Sequence, residues 1–171
     1  MKKLSWPIKV FFITFVLAAL FSASSTLIAD FNAVMLVIAL FLVILVGIIF
    51  DMIGVAALTS KKENFHAMAS KKIKGAKETI ELLKKSNEVA TICNDVVGDI
   101  CGIVSGSLGA ILSIYIANST SLSLVLSTII VTSFISALTV GGKALGKTVA
   151  IKNADKIIFH AAKIKKVLTF K

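Results

Sequence analysis

From Leu36 to Phe50 the chain runs fifteen residues with only apolar side chains and one glycine, Gly47. With its flanks, this block covers about 33–58. About 20 consecutive apolar residues on a helix cross the hydrocarbon core of a bilayer. A lone segment can satisfy its own backbone groups there only as a helix. Three further blocks have the same character, at about 10–29, 90–117 and 122–140. Hydrophobic residues make up 57% of the 171 and the mean hydropathy is +0.94, whereas soluble domains hold about 45–50% apolar residues in short periodic patches. The expected fold is therefore all-α: an integral membrane bundle of about four transmembrane helices in a single domain. The first block also has the form of a signal peptide, a basic start and an apolar run followed by Ser22-Ala23-Ser24-Ser25. Its cleavage would leave three spans.

The charge pattern points the same way. All 19 basic residues are lysines, set against 9 acids, for a net charge of +10. A nucleic-acid partner would call for a basic face on a soluble fold. Here the lysines fall in three clusters that flank the apolar blocks, the distribution expected beside an anionic inner leaflet. The bilayer, not nucleic acid, is the expected partner. The loops at Asp30-Phe31-Asn32 and Asn118–Ser121 lack lysine. Four spans then place the amino terminus, residues 60–90 and the carboxyl-terminal tail together in the cytoplasm, in a cell-membrane protein.

Two lysine-rich segments, about 61–86 and 147–170, carry helical amphipathicity. In the first, Phe65, Ala69, Ile73, Ala76, Ile80 and Leu83 recur at steps of four or three, and Gly75 is placed to divide it. In the second, Ala154, Ile157, Ile158, Ala161, Ile164 and Leu168 form the apolar face. The first is expected along the membrane surface or packed beneath the bundle, the second at the membrane surface, both on the cytoplasmic side.

Ionisable side chains inside a span cost about 2.5–3.5 kcal/mol each on insertion scales. Asp51, in the second block, and Asp95 and Asp99, in the third, therefore require a reason. Asp95 and Asp99 share a helix face at i,i+4, and Asn94 lies about 100° away. Together with Asp51 they can offer hard oxygen ligands to Mg²⁺ or Co²⁺. The plainer reading is that these carboxylates reach interfacial water or pair with lysines. Gly98, Gly102 and Gly106 form two overlapping GxxxG steps, which let another helix approach closely, in a homodimer or with a membrane partner. Cys93 and Cys101 are too far apart along one helix to bridge and read as packing residues. His66 and His160 read as ordinary interfacial residues.

The order of elements, span, basic helical segment, span, span and lysine-bearing helix, resembles the transmembrane domain of the CNNM/CorC family of magnesium and cobalt transport proteins. The resemblance is carried by Gly54-Val-Ala-Ala-Leu-Thr-Ser, by Met68 to Lys77, by Leu82-Leu83 with Asn87-Glu88, by Asn94-Asp95, and by Gly142 to Lys147 running on to Asn153-Ala154-Asp155-Lys156. It covers about 33–171. It implies a dehydrated Mg²⁺ held by a serine near the end of the first helix, an asparagine and a glutamate. Of these only Asn94 stands in this sequence. Ile53 or a neighbour takes the serine's place, Lys143 the glutamate's and Gly146 a proline's. No CBS regulatory domains follow within the 171 residues.

Three functions follow as expectations. One is a divalent-cation transport module using Asn94, Asp95, Asp99 and Asp51. Another is a non-transporting membrane subunit or regulator acting through the glycine ribbon and the lysine-rich helices. The third is an enzyme: Phe50-Asp51 and Gly98-Asp99 faintly resemble the paired motifs of intramembrane aspartyl proteases. Val96 replaces the first glycine of the second motif, so a non-enzyme is expected.

Overall fold

A computed structural model describes residues 2–27 and 32–169. The inferred loop at Asp30-Phe31 and the last part of the first apolar block, Ile28-Ala29, lie outside them. The described residues are helical almost throughout and contain no strand. In chain order the helices are α1 (Lys2–Leu27), α2 (Ala33–Thr59), α3 (Lys62–Ser70), α4 (Ala76–Lys84) and α5 (Ser86–Ala90). A π-helical segment (Thr91–Val97) follows, then α6 (Gly98–Ser119), α7 (Leu124–Lys152) and α8 (Ala154–Thr169).

Among the described residues, three helical stretches are long and apolar enough to cross a membrane: Ala33–Thr59, Ser86–Ser119 and Leu124–Lys152. At 1.5 Å per residue the shortest, of 27 residues, reaches about 40 Å, more than the roughly 30 Å hydrocarbon core. Within α1 the apolar stretch is shorter, Ile8–Phe21. These helices turn large apolar side chains outward. On α2 alone Val34, Met35, Val37, Ile38, Phe41, Leu42, Leu45, Val46 and Ile49 are exposed. Soluble monomers rarely carry contiguous apolar patches beyond a few hundred Å², so lipid is the environment that suits this surface.

The chain divides into two compact units, Met1–Gly47 with Val96–Gly142, and Ile48–Asp95 with Lys143–Lys171. The first is the apolar unit. There α1 packs on α6, and Val104, Ser105, Leu108, Gly109 and Ser113 of α6 are buried. Gly109 lies against Ile135 and Val131 of α7. At Gly47 a methyl group would meet Cys101 Cβ at 3.0 Å, so α2 and α6 approach closely there because glycine has no side chain. The buried hydroxyls of Ser105 and Ser113 turn back on their own helix, as in the 2.7 Å bond that Ser113 Oγ donates to the Gly109 carbonyl.

The second is the basic unit, with sixteen of the nineteen lysines, all but Lys2, Lys3 and Lys9. Its core gathers Ala56 and Ala57 of α2, Phe65 of α3, Leu83 of α4 and Ala154 and Ile158 of α8. Phe65 stacks on Phe159 with centroids 6.3 Å apart, and Lys163 Nζ lies 4.3 Å above the Phe159 ring. The amphipathic stretch breaks into α3 and α4 around Lys71–Gly75, where Lys72 (φ 54°) and Gly75 (φ 100°) take the left-handed conformation. Thr79 Oγ1 secures the new helix by donating to the Gly75 carbonyl at 2.7 Å. Of the apolar face expected on the tail, Ala154 and Ile158 are buried, Ile157 and Ala161 are half-buried and Ile164 is exposed. Leu168 lies outside the described side chains.

Candidate cation site in the basic unit

Asp51 is buried, 4% exposed, in the part of α2 that belongs to the basic unit. Two neighbours on the helix explain how a lysine reaches it. Met52 and Ile48 pack on Gly146 of α7, where a Cβ would come within 3.0 Å of Met52 Cγ and 3.1 Å of Ile48 Cγ2. Glycine at 146 thus lets α7 approach α2, and the next residue, Lys147, brings its Nζ to 3.8 Å from Asp51 Oδ2. That ion pair is loose and one-sided. The lysine side chain is half exposed, the carboxylate is not, and Asp51 Oδ2 accepts no hydrogen bond.

A second oxygen in the same unit is in a similar condition. The side chain of Asn94 lies directly on Gly54, where any Cβ would collide with its amide. Its Oδ1 is buried and likewise accepts no hydrogen bond. Gly54 is one helical turn past Asp51, so the two positions share a face of α2, with about 5–6 Å between Cβ positions at that spacing. Asp51 and the seat of the Asn94 amide therefore lie one helical turn apart along α2, and each brings a buried oxygen without a hydrogen bond. Buried polar atoms are nearly always hydrogen-bonded; in the basic unit Ser60 Oγ shares this unsatisfied condition with Asp51 and Asn94, and only Asp51 among them is a carboxylate.

The π-helical segment Thr91–Val97 sets this geometry. A π-turn bonds i to i+5 and is often found at functional sites. Within it Asn94 is half-buried against α2, while Asp95 is exposed. Asp99, which belongs to the apolar unit, is exposed as well. Of the four expected ligands, Asp51 and Asn94 hold buried oxygens along α2, while Asp95 and Asp99 are exposed. Among the described residues no three His, Cys, Asp or Glu side chains gather as a metal-holding group. Lys143 is half-buried, and the lysine that reaches Asp51 is Lys147, one turn further along α7.

Sequence reasoning missed Lys147 and the seating role of Gly54. In the sequence Gly54 opens the run Gly54-Val-Ala-Ala-Leu-Thr-Ser, and nothing local marks it as a seat for an asparagine 40 residues away. The glycine ribbon also divides. Gly98 is buried, but Gly102 and Gly106 are exposed with nothing within 4 Å of where a Cβ would stand. The contact of α6 with α7 is made at Gly109, three residues past Gly106. Cys93 and Cys101 form no disulfide.

Fold and surface together define the class: a helical membrane protein with, among the described residues, three helices long and apolar enough to cross a bilayer. No protein-family profile, curated protein or solved structure matches the chain.

Proposed function

We propose that this protein sits in the cell membrane with its basic unit toward the cytoplasm, and that it handles a divalent cation, Mg²⁺ or Co²⁺, at Asp51 and Asn94. The orientation rests on the lysine distribution, since cytoplasmic segments are the ones rich in lysine. The cation reading rests on one observation: Asp51 Oδ2 and Asn94 Oδ1 are buried oxygens without hydrogen bonds, beside one face of one helix. Hard cations take oxygen ligands, and Mg²⁺ commonly keeps several waters while binding one or two protein groups. Two protein oxygens suit that habit.

Lys147 then acts as a resident counter-ion. Its ammonium neutralises Asp51 when no cation is bound, and its half-exposed, flexible stem lets it withdraw toward water when one arrives. Titration calorimetry of the purified protein with Mg²⁺ and Co²⁺ tests this. Asp51→Asn and Asn94→Leu should abolish binding, Asp99→Asn should leave it intact, and Lys147→Gln should tighten it by removing the competitor. Equal binding by wild type and Asp51→Asn would end the proposal.

A second reading, a membrane subunit that binds another helix without transporting, draws on α6. Asp99 is exposed on a membrane-crossing helix, and Gly102 and Gly106 lie open beyond it. A carboxylate facing lipid is costly, and open glycines on the same helix are the usual seat of a partner helix. On this reading assembly, rather than cation binding, responds to substitution at Gly102.

A further inference from the structure

The basic unit also holds a polar cavity and an apolar groove that share one side chain. The cavity, about 510 Å³, is lined by Thr59, Lys61, Asn64, Lys152, Asn153 and Lys156, with Asp155 as its only acid. Asn64 Nδ2 donates to Asp155 Oδ2 at 2.6 Å, which occupies that carboxylate oxygen. Three lysines against one carboxylate leave a surplus of two positive charges on the cavity wall. Among the described residues none of the three lysines is in an ion pair. The groove, about 310 Å³, runs between Ile49, Met52 and Ile53 of α2 and Ile157, Ala161 and Ile164 of α8. Its wall is almost wholly apolar, with His160 and Lys156 as the polar exceptions. Lys156 lines both spaces.

A basic, amide-rich cavity joined through one lysine to an apolar groove has the chemical layout of a phospholipid, with an anionic head at one end and a hydrocarbon chain at the other. We propose that this is a binding site for one anionic phospholipid of the surrounding bilayer. The phosphate lies among Lys61, Lys152 and Lys156, with Asn64 and Asn153 as neutral donors, and an acyl chain lies along the groove. Charge complementarity selects an anionic over a zwitterionic head, since lysines near a membrane surface favour acidic lipids. The groove selects a lipid over a free phosphate, because a hydrophilic ion gains nothing from burying isoleucine and methionine. The site is separate from the Asp51–Asn94 pair and does not depend on cation binding.

The full chain, purified in mild non-ionic detergent, is titrated with phosphatidylglycerol, phosphatidylcholine or inorganic phosphate, and bound lipid and the thermal midpoint are measured. Phosphatidylglycerol should bind and raise the midpoint, while phosphatidylcholine and phosphate should do neither. Lys152→Gln with Lys156→Gln should weaken phosphatidylglycerol about thirtyfold, the weight expected of two surface lysines. The corresponding double arginine variant should retain binding. Both lysines are exposed, so the fold tolerates these changes, and an unchanged helical signal checks it. Ala161→Trp should fill the groove and remove lipid binding while every lysine remains. Equal binding of the two lipids would overturn the proposal. So would undiminished phosphatidylglycerol binding by the double glutamine variant. Binding of phosphate alone as tight as that of the lipid, unaffected by Ala161→Trp, would make this a free-anion site and overturn it equally.

Discussion

The amide of Asn94 lies against Gly54, at a point on α2 where any Cβ would force that amide to move. An alanine within a helix is ordinarily better than glycine by roughly 0.5–1 kcal/mol. At Gly54 the sign reverses, because the new methyl group must displace a buried amide from its seat. Gly54→Ala is expected to lower stability by about 1–3 kcal/mol, the usual range for overpacking, and to remove Mg²⁺ binding. Thermal unfolding in detergent and calorimetry on the same sample check both.

The Asp51–Lys147 pair should couple weakly. Its 3.8 Å separation and the half-exposed lysine place it nearer to a surface ion pair, where coupling is typically about 0.2–1 kcal/mol. A double-mutant cycle with Asp51→Asn and Lys147→Gln, read by unfolding, should give a coupling below about 1 kcal/mol. A larger value would mean that the pair is a structural pin and that Lys147 does not yield to a cation.

Gly75 opens α4 with φ at 100°, and a Cβ there would come 2.9 Å from Lys163 Cγ. Most of the energetic effect belongs to the backbone, since the lysine stem can move aside while the left-handed conformation cannot be avoided. Gly75→Ala is expected to cost about 1–2 kcal/mol, and Gly75→Asn, which tolerates that region better, noticeably less. Comparing the two midpoints separates backbone strain from contact with Lys163.

Gly102 stands open, so a leucine there meets nothing within the chain. Gly102→Leu is expected to leave helix content and monomer stability unchanged and to reduce self-association measured by cross-linking in detergent. If association is unaffected, the open face of α6 is not where another helix packs.

Phe65 is 1% exposed and stacked on Phe159, holding α3 against α8. Phe65→Ala should cost about 3–5 kcal/mol, as for other large buried aromatics. Limited proteolysis between α3 and α4 should speed up in parallel.

The helical class was readable in the linear chain because hydropathy adds up locally. The run from Leu36 to Phe50 needs a helix and a lipid environment whatever it packs against. The break at Gly75 and the apolar positions Phe65, Ala76 and Leu83 were readable for the same reason, since helical periodicity places neighbours three and four apart without outside help, whereas Ile73, expected on that face, falls in the break and is exposed. The choice among equivalent residues was not. Lys143 and Lys147 are the same residue type one turn apart on α7, and the closeness of α7 to α2 at Gly146 decides which of them meets Asp51. Asn94, Asp95 and Asp99 are all polar groups in one apolar block, and a π-turn, which leaves no mark in composition, leaves Asn94 half-buried on Gly54 and the two aspartates exposed. Gly102 and Gly109 are both small, yet only Gly109 has α7 against it. Hydropathy and period specify what a helix is and which environment it needs. The rotation and approach of one helix against another, on which every contact between distant residues depends, arise only when all the side chains are packed at once.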